Sequence, residues 1–286
     1  MRKPGNIIGV DLGGTTIRAG KVIDGKIIQI SKIATPSTGS ENEVLSMLVD
    51  AIGNCFDNET QCIGVGVPSV VDTQKGIVYD VVNIPSWKEV ALRDFLTEKF
   101  SVPVFINNDS NCFVAGEKIY GKGKSYRDIV GMTLGTGLGL GIVVEGKLYE
   151  GRNCGAGEFG MIPYRDDVFE TYCSGQFFSK IKNRSAMEVH TLALDGDSMA
   201  MELFSEYGVH MGKVIKSILY AYDPEIIILG GSVSCAYSFF QSSMKREIED
   251  FAFRSTLCNL KIEVSDITDS AILGAAALQM NAHNKL

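Results

Sequence analysis

Gly9-Val10-Asp11-Leu12-Gly13-Gly14-Thr15-Thr16 stands near the start of a chain of 286 residues, directly on the first apolar run, Ile7 to Val10. An acidic residue closes a strand there, and two glycines let the backbone curl until its N–H groups face an anion such as a phosphate. Two hydroxyls follow as further donors. The plainer reading is an ordinary β-hairpin turn, and the octet alone leaves both open. The surroundings supply the hairpin: Asn6–Asp11 reads as a strand, Ile17–Ile23 as its partner, and Asp24-Gly25 as a two-residue turn into a third strand, Lys26–Ser31.

Working outward, Ser40 and Glu43 have capping-box spacing. Behind them Val44, Met47, Leu48, Ala51, Ile52 and Cys55 line one helical face. Cys62–Val67 is a buried strand stopped by Pro68, Leu92–Phe100 a helix, Val104–Asn107 a strand and Cys112–Ile119 a helix. A similar order restarts at Ile129 with a strand, a Gly-rich turn, a strand at Leu140–Glu145, a turn at Gly146 and a strand at Lys147–Glu150. A long helix, about Met199 to Tyr222, carries Leu203, Phe204, Tyr207, Met211, Val214, Ile215, Ile218 and Leu219 on its inner face. Pro224 ends it, and Glu225–Leu229 is a fully buried strand. Two sets of opening hairpins predict a duplicated α/β unit, with two lobes around a central cleft. The N-terminal lobe is expected over 1–112 plus about 270–286, where a helix near Ala271–Met280 returns to it. The C-terminal lobe is expected over 113–269.

Two further glycine clusters fall in the second half. Leu134-Gly135-Thr136-Gly137-Leu138-Gly139-Leu140-Gly141 looks superficially like a dinucleotide fingerprint, but an apolar strand follows where that fingerprint needs a helix. The glycines thus sit in a strand–turn–strand that admits the terminal phosphates of a nucleotide; relief of a tight hairpin explains Gly139 and Gly141 as well. Ile228-Leu229-Gly230-Gly231-Ser232-Val233 lies on a buried strand before a turn, where a flat adenine can rest on exposed backbone.

The three clusters together, in this order and spacing, resemble the two phosphate motifs and the adenosine motif of the actin, sugar kinase and chaperone ATPase superfamily, whose ribonuclease H-like fold has two α/β lobes. Phe105-Ile106-Asn107-Asn108-Asp109-Ser110-Asn111 then separates its members. A carboxylate at the end of a buried strand, beside an amide, suits a kinase that needs a base near a substrate hydroxyl. A helix cap explains the same residues, and both readings can hold.

Composition is ordinary for a soluble globular protein. Hydrophobic residues make up 45% and charged ones 21%, and 34 acidic against 27 basic side chains give a formal charge of −7. That balance leaves no electrostatic footprint for a nucleic acid, although backbone N–H groups can still bind an anionic nucleotide. No run approaches the ~20 apolar residues of a membrane span. Seven cysteines without CxxC or CxC spacing fit reduced thiols in a cytoplasmic protein.

Nearly the whole chain resembles the ROK family (repressors, open reading frames and kinases). Gly64-Val65-Gly66-Val67-Pro68 with Val71-Asp72, Asn83-Ile84-Pro85-Ser86-Trp87, Glu158-Phe159-Gly160 and Glu170-Thr171-Tyr172-Cys173-Ser174-Gly175 carry the resemblance. It implies a kinase that moves the γ-phosphate of ATP to a hydroxyl, most often O6, of a hexose or hexosamine, as a glucokinase or N-acetylmannosamine kinase does. By the same resemblance Asn83, Asn108, Asp109, Glu158 and Glu170 hold sugar hydroxyls, with Asp109 as base. Gly13, Gly14, Thr15, Thr16, Gly135, Thr136, Gly137, Gly230 and Gly231 meet the nucleotide. Asp11 orients Mg²⁺ on the phosphates, through water.

The departures carry information too. Position 161 is Met where the family usually has a His that ligates zinc and touches the sugar. Only eight residues separate Met161 from Glu170, too few for the family's cysteine run, so no zinc is expected; some N-acetylmannosamine kinases similarly lack it. Without that His, glucose specificity does not follow. Family repressors carry a helix-turn-helix before the first motif, a module of about 60 residues; only ten residues precede Asp11 here, which points to a kinase. Intact Asp109 and phosphate motifs argue against an idle sugar-binding regulator. By resemblance a homodimer stays open, with no nucleic-acid or membrane partner expected. His190, His210 and His283 lie outside every motif and are expected on solvent-facing or helix surfaces. Cys154 and Cys173 read as small buried residues, and Trp87 as packing over the cleft edge or stacking on a sugar.

Overall fold

The computed structural model describes residues 5–152 and 154–283, the side chains of 281–283 excepted, so that of His283 lies outside the description. Strands β1 (Asn6–Leu12), β2 (Thr16–Ile23) and β3 (Lys26–Ala34) open the chain, followed by helix α1 (Glu41–Gly53) and β4 (Thr60–Val67). Short strands β5 (Val70–Asp72), β6 (Ile77–Tyr79) and β7 (Glu89–Val90) lead into α2 (Leu92–Phe100), β8 (Val104–Asn108) and α3 (Asp109–Ile119). Next come β9 (Ile129–Leu134), β10 (Leu138–Val144), β11 (Lys147–Leu148), the hairpin β12 (Pro163–Tyr164) and β13 (Asp167–Val168), and α4 (Phe169–Cys173). The last elements are α5 (Ala186–Leu194), α6 (Ser198–Tyr222), β14 (Ile226–Gly230), α7 (Tyr237–Ile248), α8 (Arg254–Asn259), β15 (Lys261–Val264) and α9 (Ser270–His283). They form two compact α/β units: Met1–Ser125 with Gly141–Ala156 and Asp266–Leu286, and Tyr126–Leu140 with Gly157–Ser265. Among the described residues, no helix is long and apolar enough to cross a membrane.

In the first unit the sheet order is β3-β2-β1-β4-β8. The opening meander is as expected, with β1 antiparallel to β2, while β4 and β8 run parallel to β1 and β4. Both halves of the capping box at Ser40 and Glu43 are present, and α1 buries Val44, Leu45, Leu48, Ala51 and Ile52 against the sheet. Each Val, Leu or Ile side chain so taken from water stabilises by ~1.5–3 kcal/mol. Trp87 belongs to this core with no exposed surface. It offers no face to a ligand, which corrects the expectation that it stacks on a sugar and leaves it a packing residue.

Helix α9 lies so close to β1 and β4 that side chains at Gly9 and Gly64 would strike the carbonyls of Ile272 and Ala275. It meets α3 equally closely, Gly116 against Gly274. That packing draws residues 113–125 into the first unit, whereas the division expected from sequence fell at 112. The segment Gly141–Ala156 joins it for a related reason: Gly141 lies against the carbonyl of Ser110.

In the second unit β9, β14 and β15 are parallel, and β10 lies beside β9. Asp197 caps α6, and Asp223 ends it in the left-handed region just before Pro224. The expected inner face is buried along its length from Phe204 to Leu219. His210 is buried with it, only 1% exposed, and not on the helix surface where the sequence reading put it.

Candidate functional site

In the first unit three parallel strands end side by side. Asp11 on β1 pairs with Gly66 on β4, which pairs with Asn107 on β8. The carboxyl ends of parallel strands are where α/β sheets bind ligands. Asp11 lies 3.9 Å from the Arg18 guanidinium, which also pairs with Asp269. Burial pushes the Asp11 carboxyl above its ordinary range, and Arg18 partly restores it. The turn after Asp11 is braced from inside: Gly13 N–H donates to the Thr16 carbonyl (3.0 Å), and Thr35 Oγ1 donates to the Gly13 carbonyl (2.7 Å). Thr15 stays exposed at its tip. Asn83, also exposed, stands against this turn, since a methyl group on Gly14 would lie 2.5 Å from Asn83 Cβ.

Asn108 and Asp109 occupy the junction of β8 and α3. Asn108 caps the helix, its Oδ1 accepting from the N–H groups of Ser110 (2.9 Å) and Asn111 (3.4 Å), while Nδ2 donates to the Ser69 carbonyl (3.3 Å). The cap reading is therefore realised, and α3 begins at Asp109, not at Cys112 as expected. Asp109 takes the first helical position, where the helix dipole favours an anion, and its Oδ1 accepts from Ser110 N–H (2.8 Å). Cys112, just inside the helix, has its thiol pushed well up by burial, then by Asp109, then by Asp11. The two aspartates thus lie within electrostatic reach of one buried atom.

Behind them is a network that no local pattern announced. Asn107 Nδ2 donates to Glu150 Oε1 (2.7 Å), and Asn107 Oδ1 accepts from Asn108 N–H (2.8 Å), Asn111 Nδ2 (2.9 Å) and Cys154 Sγ (3.3 Å). A cavity of about 640 Å³ runs beside β8, bordered by Arg93, Phe105, Asn107 and Glu150. None of the site residues expected from sequence lines it, so it does not mark the chemistry. Among the described residues, no group of three or more His, Cys, Asp or Glu could hold a metal ion unaided. Asp11 still fits Mg²⁺, which keeps several waters and binds through one or two carboxylates plus substrate phosphates.

In the second unit the two glycine clusters meet. Gly230 pairs with Thr133 across β14 and β9. Gly231 has φ +83°, and a Cβ there would strike the Leu134 carbonyl, so the position accepts only glycine without strain. The turn from Gly135 to Gly137 closes with Gly135 N–H on the Gly137 carbonyl (3.0 Å). Glu170, second residue of α4, supports that turn: its Oε2 accepts from Leu138 N–H (3.1 Å) and its Oε1 from Gln176 Nε2 (2.9 Å). From the segment that follows, Gly175 N–H donates to the Gly135 carbonyl (2.8 Å) and Ser174 Oγ to the Thr136 carbonyl (3.1 Å). Ser174, Gly175 and Gln176 went unread as site residues because only their partners reveal the role. Glu158 is surface-exposed, yet the protein around it and then the Glu170 charge push its carboxyl above the usual range. Met161 is 52% exposed, and Cys154 and Cys173 are buried as expected.

A family model described as the ROK family matches residues 7–282. A glucokinase of Thermotoga maritima is 28% identical, covering 95% of this chain and 96% of its own. A xylose repressor of Caldicellulosiruptor bescii is 29% identical over 96% of this chain and 78% of its own. Among solved structures, a ROK family glucokinase from Streptomyces griseus, in complex with glucose and AMPPNP, matches with a TM-score of 0.81 at 26% identity, covering 96% of this chain and 99% of that one.

Proposed function

The chain belongs to the ROK family, and from that membership we propose that it is an ATP-dependent sugar kinase, moving the γ-phosphate of ATP to a hydroxyl of a hexose or hexosamine, with O6 the expected acceptor. The observation that carries the reading is Glu170. One carboxylate braces the backbone turn read as the phosphate motif and belongs to the set read as sugar-binding. The glucose and AMPPNP named with the Streptomyces griseus glucokinase support the same pairing of ligands.

On this reading Asp109 accepts the proton of the attacking hydroxyl, and its place at the start of α3 keeps a carboxylate there favourable. Asn83, Asn108, Glu158 and Glu170 orient the sugar. In Asn108 the cap bonds and the bond to Ser69 leave the second N–H of Nδ2 for that task. Gly13 to Thr16 and Gly135 to Gly137 present backbone and hydroxyl donors to phosphate oxygens, and Gly230 and Gly231 a flat surface to the base. Asp11 would hold Mg²⁺ through water, and the ion would supply neutralisation of charge on the transferring phosphoryl group. Catalysis of this type rests on positioning and electrostatics more than on the base.

The test is release of ADP by purified protein across a panel of hexoses and N-acetylhexosamines. Sugar-dependent turnover is expected, and no turnover with any sugar would overturn the kinase reading. The similarity to a xylose repressor favours a second reading, a sugar-responsive regulator. Sugar binding by calorimetry without ADP release would select it.

A further inference from the structure

Both carboxylates of the second unit hang on one segment. Between Glu158 and Glu170 the chain forms the β12–β13 hairpin and enters α4, a helix of five residues. A helix that short does not hold itself in water, so its place is set by what grips it. Helix α6 grips both ends. Tyr207 Oη donates to the carbonyl of Cys173, the last residue of α4 (2.9 Å). At the other end the Tyr164 ring stacks on Phe169, the first residue of α4, with centroids 4.5 Å apart and planes at 15°. Tyr164 Oη in turn lies 3.0 Å from Nδ1 of His210, one turn along α6 from Tyr207.

His210 is enclosed by Tyr172 and Phe177 at ring distances of 5.1 and 5.5 Å. Burial, and then Arg165, hold its imidazole down to about 4, so it is neutral at physiological pH. Among the described residues its Nε2 has no hydrogen-bond partner, and Glu206 Oε1 lies 3.9 Å from it. Lys182 fixes Glu206 at 2.6 Å. A carboxylate facing Nε2 favours the tautomer with the proton on Nε2, which leaves Nδ1 to accept the Tyr164 hydroxyl. The chain Lys182–Glu206–His210–Tyr164 therefore ends on the residue that seats α4.

We propose that Tyr164 and His210 form a positioning pair that seats α4 and, through Glu170, sets both the sugar-binding carboxylate and the turn at 135–138. The inference rests on the kinase reading for its kinetic effect, but not for its structural one. Phe169 carries the coupling by packing, and Glu170 is the next residue, so a loosened Tyr164 lets the Glu170 backbone swing. A purely space-filling pair would not notice the loss of one oxygen.

Tyr164→Phe removes only that oxygen, and His210→Phe keeps an aromatic ring in the cluster. Each is expected to raise the sugar KM by about two- to tenfold, the range that one hydrogen bond carries, with kcat changed by less than about twofold. The double variant is expected to match the worse single one, because the two changes remove the same bond. Amide exchange over 161–175 should quicken in both variants, and calorimetry with AMPPNP should show weaker binding. Additive losses, or unchanged KM, exchange and AMPPNP affinity in Tyr164→Phe, would overturn the pair. If the unmodified protein phosphorylates no sugar, the kinase reading falls, while exchange and AMPPNP binding still decide the pair.

Discussion

Replacing Glu170 by Gln probes the link between the two ligands most directly. Glu170 offers two acceptors, one to Leu138 N–H at 3.1 Å and one to Gln176 Nε2 at 2.9 Å. Glutamine offers one acceptor and one donor in the same shape. Gln176 can turn its own amide over and accept from the new NH₂, so that contact survives. The bond to Leu138 survives too, but as a neutral one. A hydrogen bond to a charged group is worth ~1.5–3 kcal/mol and a neutral one ~0.5–1.5, so the variant loses about 1–1.5 kcal/mol at the turn. If the turn transmits that loss to the phosphates, the AMPPNP Kd rises about five- to tenfold. Glu170→Ala should do more, since it strands Leu138 N–H and opens space behind Gly137. Calorimetry with AMPPNP, free of any sugar, measures both variants. Unchanged nucleotide affinity in both would show that Glu170 does not hold a phosphate-binding turn, and the reasoning from its geometry would fail.

Asp109→Asn is expected to lower kcat by up to ~10²–10⁴-fold while sugar Kd changes less than tenfold, and a variant with near-normal kcat would leave Asp109 only its helical role. Gly231→Ala, forced to φ +83° against the Leu134 carbonyl, should cost ~1–3 kcal/mol and lower Tm by several degrees; Gly135→Ala, where a Cβ meets nothing within 4 Å, should not, and equal Tm values by calorimetry would refute the contrast. His210 has a folded pKa of about 4, below the unfolded value of 6.5, so its contribution to stability is full above pH 6.5 and is lost as pH falls toward 4. That window is worth at most roughly 3 kcal/mol, and urea titrations of His210→Phe across it should show a flatter decline than the unmodified protein. Elemental analysis of chelator-free protein is expected to find no zinc, and one zinc per chain within 154–175 would contradict the reading of that segment.

Local signals were legible in the sequence where a residue's neighbours along the chain decide its state. Asp11 at a strand end, the Ser40–Glu43 cap and the stripe on α6 all follow from spacing of two, three or four residues. The strands β5, β6 and β7 leave no such signal, because each is two or three residues long and, among the described residues, pairs within its own three-stranded sheet. Asp109 was placed beyond a strand, but the Asn108 cap pulled the helix start back to it. His210 was misplaced for a different reason: a polar residue in an amphipathic stripe reads as surface unless its partner is known, and Tyr164 lies 46 residues earlier. The same distance effect hid the contacts of Asn107 with Glu150 and of Leu138 with Glu170.

The docking of α9 on Gly9 and Gly64 has a consequence for how the chain is made. Those glycines sit on strands that leave the ribosome early, and the helix that covers them, Ser270–His283, follows much later. At ~5–20 residues per second the gap is on the order of ten seconds or more. Meanwhile β1 and β4 present a bare, glycine-flattened sheet face, while β14, when it emerges, already has its partner β9 waiting and receives β15 soon after. Vectorial synthesis thus favours early burial of the later-coded unit and a long exposure of the earlier one. A holdase that recognises apolar sheet surface has its natural client in that interval, and a nonsense codon before residue 270 would make the exposure permanent.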